Sequence, residues 1–324
     1  GGSSRVLTRA VGGKFYNIGK DNISFQLLRY IDRESEKEWA LEWLISILKL
    51  ENYNVTPKAK SLLTESLANL ATTSEENRTM TSLLLLLQDK DLNNILKIYT
   101  KDEAEGIYGK YFDNEEDDIK NDNLWQVFEM ENIFDSNMLY PMLTYLFHRI
   151  ETELFPSENT PMEKMTPTYL ILDECWLFLD NTMFSGKIKD WLKTLRKKNV
   201  SVIMATQSLS DIENSKIKAA LLESCPTKIY LPNPNIAPDT DMERTYYNFG
   251  LNEMEINLVR MAIPKQDYYI KSQGGKVIDL NLTPLELAYV AASSPEDQAM
   301  CERIYAEAYD TEEFNKKWRE YKNV

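Results

Sequence analysis

PTYLILDECWLFLD, residues 167–180, joins a short apolar segment directly to two acidic residues. Five strand-like residues, Thr168 to Leu172, are followed at once by Asp173 and Glu174, and an apolar cluster then resumes. A short apolar segment rich in Leu, Ile and Tyr predicts a strand buried inside a sheet. Two carboxylates at the end of such a strand require an explanation, because charge is costly to bury.

Strands and helices alternate after this segment. The stretch VSVIMATQ (200–207) predicts a second buried strand, TKIYLP (227–232) predicts a third, and helices are predicted at 186–198 and 215–223. This alternation is typical of a mostly parallel sheet with helices on both faces, so the predicted fold class is α/β. Gly274-Gly275 predicts a β-hairpin further along the chain.

The N-terminal third of the chain has a different pattern. Residues 34–50, ESEKEWALEWLISILKL, carry apolar side chains at helical spacing, and Thr56-Pro57 is typical of a helix start. We therefore predict an all-helical insertion over 33–100. The acidic stretch GKYFDNEEDDIKNDN (109–123) predicts a solvated loop.

Composition excludes several functional classes. The chain has 324 residues and a formal net charge of −14, which argues against general coating of DNA because that requires clustered Lys and Arg. Its three cysteines have neither disulfide-scaffold nor metal-ligand spacing, which favours reduced thiols in the cytosol. The longest apolar run, Leu83 to Leu87, is far shorter than the ~20 residues of a membrane span. The N-terminus also lacks a signal-peptide pattern.

The two acids after the first predicted strand suit a nucleotide site. Ligands of parallel sheets bind at the carboxyl ends of strands, where Asp173 can hold Mg²⁺ through water and Glu174 can take a proton from an attacking water. The alternative is that both acids stabilise the N-terminus of the following helix. Gln207 ends the next strand, where it can touch a γ-phosphate or the attacking water, although a loop glutamine also often bonds to backbone.

A basic stripe lies between these two strands, on the helix that contains KIKDWLKTLRKK (187–198). Its members are spaced at helical intervals: Lys189, Lys193, Arg196 and Lys197. At the edge of a ring subunit, Arg196 or Lys197 can reach a neighbour's γ-phosphate and stabilise the charge of phosphoryl transfer. The alternative is a solvated helix face.

The phosphate-binding loop of P-loop enzymes, GxxxxGK[ST], is absent from the sequence. Five Gly-Lys pairs occur, and none is followed by Ser or Thr; their lysines are Lys14, Lys20, Lys110, Lys187 and Lys276.

Over nearly its whole length, the chain resembles the C-terminal motor domain of the large ATPases of conjugation and type IV secretion, the CagE/TrbE/VirB family. The resemblance is carried by LTRAVGGKFYNIG (7–19), FEMENI (128–133), LTYLFHRIE (143–151), YLILDECWLFLD (169–180), IKDWLKTLRKKNVSVIMATQSLSDI (188–212) and SPEDQAMCERIY (294–305). It implies a RecA-like P-loop NTPase core. In the family, the phosphate-binding loop precedes the segment that this chain resembles, so the resemblance implies a chain that starts after that loop and is inactive alone.

The resemblance also implies domain bounds and residue roles. The RecA-like core comprises 1–32 and 101–324, the all-helical insertion 33–100, and the C-terminal helical tail of the core 283–324. The implied cofactors are ATP and Mg²⁺, with Asp173 as the metal acid, Glu174 as the base, Gln207 as the γ-phosphate sensor and Arg196 or Lys197 as a finger acting on a neighbouring subunit. Many relatives have Arg where this chain has Gln266, and Lys265 is the nearest substitute for binding nucleotide.

The function implied is an ATP-hydrolysing motor that drives assembly of, or transport through, a bacterial type IV secretion or conjugation apparatus. The implied partners are other copies of the chain in a hexamer, other secretion ATPases, inner-membrane channel subunits, and a protein or protein–DNA substrate. The implied location is the cytoplasmic side of the inner membrane, reached through partners. A DNA-translocating hexameric pump and a non-catalytic docking fragment remain alternatives.

Several conspicuous residues are predicted to be structural. His148, the only histidine, lies on an amphipathic helix beside Phe147. Cys175, Trp176 and Trp191 are predicted to be core residues or subunit contacts rather than a reactive thiol or a base-stacking platform.

Overall fold

The fold is described by a computed structural model that covers residues 3–101, 106–157, 160–179 and 182–324. It divides into two compact units, Gly1–Leu154 with Pro284–Val324 (unit 1) and Phe155–Thr283 (unit 2). Among the helices of these ranges, none is both long and apolar enough to cross a membrane.

Sixteen α-helices are found in the described residues, in the order α1 Ser3–Ala10, α2 Glu34–Leu50, α3 Pro57–Leu70, α4 Met80–Leu86, α5 Lys90–Leu96, α6 Gly109–Phe112, α7 Leu139–Arg149, α8 Trp176–Leu179, α9 Thr182–Thr194, α10 Leu209–Glu213, α11 Lys218–Ser224, α12 Asp241–Asn248, α13 Glu253–Met261, α14 Pro284–Val290, α15 Pro295–Glu307 and α16 Thr311–Lys322. Short 3₁₀ turns add to these, among them Leu195–Lys198 at the end of α9, and a π-helical turn, Ile150–Leu154, extends α7.

Seven strands are found in the same residues: β1 Lys14–Asn17, β2 Gln126–Glu129, β3 Thr168–Leu172, β4 Val200–Met204, β5 Lys228–Tyr230, β6 Asp267–Lys271 and β7 Gly275–Asp279. The pair β1–β2 is parallel, and so is the pair β3–β4. The strands β5, β6 and β7 form an antiparallel sheet, in which β6 and β7 form the hairpin predicted at Gly274-Gly275. The α/β class and the strand at 168–172 are thus confirmed.

The segment from 34 to 99 contains helices and turns only. Its first two long helices begin as their sequences predict, with acids in the first turn of α2 and the Thr56 side chain accepting from the Ala59 N–H at the start of α3. Contacts group this segment with β1, β2 and the C-terminal helices in unit 1. The separation of 33–100 and 283–324 as distinct parts of a core stays a prediction.

The core of unit 1 is built by aromatic side chains from α2, α6 and α7. Trp43, Phe112 and Tyr145 are buried within one cluster, and their rings meet at tilted and edge-on angles. The C-terminal helices α14–α16 pack against α1, and Trp318 and Phe314 of α16 form a second buried cluster with Val6.

The acidic stretch 109–123 differs from its predicted solvated loop. Asp113 and Asp117 are buried, at 4% and 2% exposure, because they serve as acceptors for backbone N–H groups. Asp113 accepts from the N–H groups of Thr81 and Lys101 at 2.9 and 2.8 Å. Such bonds compensate for the cost of removing a carboxylate from water.

Candidate functional site

The strands β3 and β4 bring the acids and the glutamine to one edge of their sheet. Their parallel register runs from Thr168 opposite Val200 to Leu172 opposite Met204. Hydrogen bonds continue beyond both strands, since the Ala205 N–H donates to the Leu172 carbonyl and the Cys175 N–H to the Ala205 carbonyl. The turns that carry Asp173, Glu174 and Gln207 therefore lie side by side at the carboxyl ends of the strands.

Glu174 is held by two side chains at this edge. The Gln207 amide donates a hydrogen bond to Glu174 Oε1, and the Trp176 indole N–H donates one to Glu174 Oε2 at 2.9 Å. The backbone of Glu174 is left-handed, with φ at 51°. A non-glycine residue persists in this conformation where surrounding contacts fix it, and such residues are common at functional sites.

Asp173 is exposed, and its Oδ1 accepts from the backbone N–H of Glu174 at 3.1 Å. Within the part of the chain that the structure describes, no group of three or more acids, histidines or cysteines could enclose a metal ion. A single exposed carboxylate nevertheless suits Mg²⁺, which keeps several waters and binds through one or two carboxylates plus phosphate. The residues present thus fit a water-mediated Mg²⁺.

The loop after β4 fixes the backbone next to Gln207. The Thr206 hydroxyl donates to Asp211 Oδ2 at 2.9 Å, and the Ser208 hydroxyl accepts from the Ser210 N–H at the start of α10. Because both neighbours of Gln207 are tied to α10, its exposed side chain projects from an ordered turn.

Cys175 lies between the two acids and Trp176 but is buried, with 1% of its surface exposed. Burial raises the pKa of its thiol to about 11, and the negative charge of Asp211 adds to this shift. A thiol with such a pKa remains protonated at neutral pH and is a poor nucleophile. Cys175 therefore serves packing, as the sequence predicts.

Arg196 and Lys197 lie at the opposite end of the same strands. Both are exposed in the 3₁₀ turn Leu195–Lys198, which ends at left-handed Asn199 directly before β4. Five residues of strand separate this turn from the edge that carries Glu174, which corresponds to about 16 Å. The structure thus does not bring these two cations to the acids of the same subunit.

Lys265 is also apart from the acids. It is exposed and left-handed, with φ at 65°, in the turn that joins α13 to β6. In the described ranges, no hydrogen bond or ion pair joins it to Asp173, Glu174 or Gln207. Its neighbour Gln266 contacts Asp279 Oδ2 at 3.4 Å across the β6–β7 hairpin.

Trp176 is the site residue that the sequence interpretation missed. Trp191 and Phe178 are buried as predicted, but Trp176 is 38% exposed and donates its indole N–H to Glu174. The signal in the sequence is its position two residues after the second acid. That spacing becomes a contact only because Glu174 adopts a left-handed backbone.

Comparison with known proteins gives concordant results. The model of the TraG P-loop domain matches residues 73–300. The chain is 35% identical over 313 residues to a probable conjugal transfer protein TrbE of Sinorhizobium fredii, covering 94% of this chain and 45% of that protein. It is also 35% identical over 318 residues to the conjugal transfer protein TrbE of Rhizobium radiobacter, covering 95% of this chain and 37% of that protein.

Among solved structures, VirB4 of Thermoanaerobacter pseudethanolicus has a similar fold, with a TM-score of 0.60 at 15% identity, over 87% of this chain and 80% of that chain. The present chain spans less than half the length of the two curated TrbE relatives.

Proposed function

The chain belongs to the family of TraG P-loop domains, and on this premise we propose that it is the acid-bearing part of an ATP-hydrolysing motor for conjugation or type IV secretion. The observation that carries the proposal is the pairing of Glu174 with Gln207 at the carboxyl edge of β3 and β4. A base and a polar side chain from neighbouring strand ends are what hydrolysis of a terminal phosphate requires.

In the proposed mechanism, each residue at the edge has one task. Glu174 accepts the proton of the attacking water, and Gln207 orients that water or the γ-phosphate. Asp173 binds Mg²⁺ through water. When bound, this ion supplies positive charge against the phosphate oxygens.

The cations outside this edge have proposed roles that need partners. Arg196 and Lys197 lie about 16 Å from the acids, and their exposure leaves them available to an adjacent subunit. Lys265 is proposed to contact nucleotide phosphates in place of the arginine that many relatives carry at the position of Gln266. These tasks are electrostatic, so each depends on the geometry of an assembled ring.

For the whole protein, we propose a homo-oligomeric ring, with the hexamer as the expected form. It works on the cytoplasmic side of the bacterial inner membrane and is held there by other secretion ATPases and by channel subunits. The substrate it moves is a protein or a protein–DNA complex. The net charge of −14 favours this assignment over a motor that grips bare DNA, because DNA binding draws on clustered cations.

Mg²⁺-dependent ATP hydrolysis tests the proposal. It should be measured on the complete gene product, on its Glu174→Gln variant and on residues 1–324 alone. The complete protein should turn over, and Glu174→Gln should reduce kcat by ~10²–10⁴-fold while ATP binding persists, because a general base contributes about this much. Residues 1–324 should bind ATP very weakly, because GxxxxGK[ST] is absent from their sequence.

Two results would contradict the proposal. One is a Glu174→Gln protein with wild-type kcat, and the other is a complete gene product without any Mg²⁺-dependent turnover. Micromolar ATP affinity of residues 1–324 would contradict the expectation for the isolated segment.

A further inference from the structure

We propose that Trp176 is a positioning residue for Glu174, because its indole N–H fixes one carboxylate oxygen and thereby directs the other toward Gln207. The contact is a property of the fold, whereas its catalytic meaning rests on the proposed function. Trp176 touches neither nucleotide nor attacking water in this proposal and acts only through Glu174.

The two hydrogen bonds at Glu174 have a defined direction. An indole N–H is a donor only, and an ionised carboxylate is an acceptor only, so the Trp176 bond cannot reverse. Gln207 must present its NH₂ group to the other oxygen for the same reason. Two donors on two oxygens fix the plane of the carboxylate, which a single donor does not.

Trp176 is itself well anchored. The preceding residue, Cys175, is buried and bonded through its N–H to the Ala205 carbonyl at 2.9 Å. Phe178 is buried and donates its N–H to the Cys175 carbonyl at 3.0 Å. Backbone on both sides of Trp176 is therefore held, which limits the directions that its indole can take.

The two donors differ in origin. Trp176 comes from the same turn as Glu174, two residues later, while Gln207 comes from the loop after β4. Movement between the two strand ends changes the distance from Glu174 to Gln207 but leaves the Trp176 contact within its own turn. The indole thus gives Glu174 a local reference that does not depend on the neighbouring strand.

Indole NMR tests the contact without requiring activity. Residues 1–324 labelled with ¹⁵N-tryptophan give up to six indole signals, and Trp176→Phe identifies the one that belongs to Trp176. Glu174→Ala should move this signal toward the position of a solvent-bonded indole and speed its exchange with water several-fold. Asp173→Asn, which keeps an oxygen for the Glu174 N–H, should move it far less.

Three other tryptophans serve as internal references. The indole N–H groups of Trp43, Trp125 and Trp318 donate to Pro141, Thr8 and Ala288 in unit 1. Their signals should stay in place in every variant. A Trp176 signal that Glu174→Ala leaves unmoved would overturn the proposal.

Kinetics of the complete gene product test the positioning role. Trp176→Phe keeps an aromatic ring but removes the donor, and it should lower kcat about tenfold with KM for ATP unchanged, as expected for one positioned hydrogen bond. In a Glu174→Gln background, the same change should cost no further activity. A wild-type kcat for Trp176→Phe, or a change in KM alone, overturns the role.

The kinetic outcomes separate this inference from the proposed function. If the wild-type protein turns over ATP and Trp176→Phe matches it, only the positioning role fails. If the wild-type protein shows no turnover, the proposed function fails and takes the catalytic meaning of the contact with it, while the NMR result still decides whether the contact exists.

Discussion

At the scale of single residues, the position of each acid decides its chemistry. Asp173 is exposed at a strand end, where its carboxylate is available to a hydrated ion. Asp117 is buried and accepts from the N–H groups of Gln26 and Ile119 at 3.1 and 2.8 Å and from the Tyr145 hydroxyl. The first arrangement suits a binding site, whereas the second ties a loop to α7.

Asp117→Asn should destabilise the protein by roughly 1–3 kcal/mol, because an amide cannot accept from both backbone N–H groups and leaves one without its partner. Burial raises the pKa of Asp117, and this outweighs the opposing effect of the Arg149 charge. A raised pKa means that the stabilising contribution of Asp117 is complete below its unfolded-state pKa. That contribution is lost as pH rises through the folded-state pKa.

Urea unfolding at mildly acidic and at neutral pH measures this effect. The stability difference between wild type and Asp117→Asn should shrink as pH rises. Asp122→Asn is the matched control, because Asp122 is exposed and pairs only with Lys14 among the described residues. A difference that grows with pH would show that the ionised form is the favoured one.

At the scale of elements, α2 and α7 are joined by the only histidine of the chain. The His148 ring of α7 stacks on Trp39 of α2, with centroids 3.9 Å apart and planes 6° from parallel. His148 Nε2 also lies 2.9 Å from Glu36 Oε2. These contacts support the structural role predicted for His148.

His148→Ala should destabilise unit 1 by about 1–3 kcal/mol, since it removes a ring stack and a hydrogen bond. His148→Phe keeps the ring and should cost less. Burial raises the pKa of Glu36, but the hydrogen bond and electrostatic attraction of His148, with Arg149 and Arg33, outweigh burial and lower it below its usual 4.5.

The sign of the pH effect follows from this lowered pKa. The contribution of Glu36 to stability is present above its unfolded-state pKa and is lost as pH falls through the folded-state pKa. Thermal unfolding in the acid range should therefore show a steeper loss of stability for wild type than for either His148 variant. Equal acid sensitivity of all three proteins would argue against the Glu36–His148 pair.

At the scale of the whole molecule, the parallel register of β3 and β4 separates two kinds of charge. Acids lie at the carboxyl ends of these strands, and Arg196 and Lys197 lie at the start of β4. A strand of five residues keeps them about 16 Å apart, which is too far for one phosphate to contact both within a subunit. A ring would bring the cations of one subunit to the acids of the next.

Mixing two inactive variants tests this arrangement. Glu174→Gln subunits still have the cations, and subunits with Arg196→Ala and Lys197→Ala still have the acids. Mixed oligomers of the complete gene product should regain some of the ATPase activity, since some interfaces combine an intact base with intact cations. Mixtures as inactive as the separate variants would indicate that the cations do not act on a neighbour.

Much of the fold was predictable because its signals are local. The apolar run at 168–172, the helical spacing of 34–50 and the Thr56-Pro57 start each report on a few neighbouring residues. The burial of Asp113 and Asp117 was not predictable. Their carboxylates accept from N–H groups that are distant in sequence, such as that of Thr81, and composition alone indicated solvent.

The sequence by itself determined that two acids follow a buried strand and that a glutamine ends the next one, because strand formation and side-chain alternation are short-range properties. Only the tertiary structure decided that Gln207 bonds to Glu174 across 33 residues, since a parallel register depends on contacts along both strands. It also decided that Trp176 reaches the same carboxylate, through a left-handed turn that no local propensity favours. Long-range pairing and locally unfavourable backbone are stabilised by the packed fold as a whole.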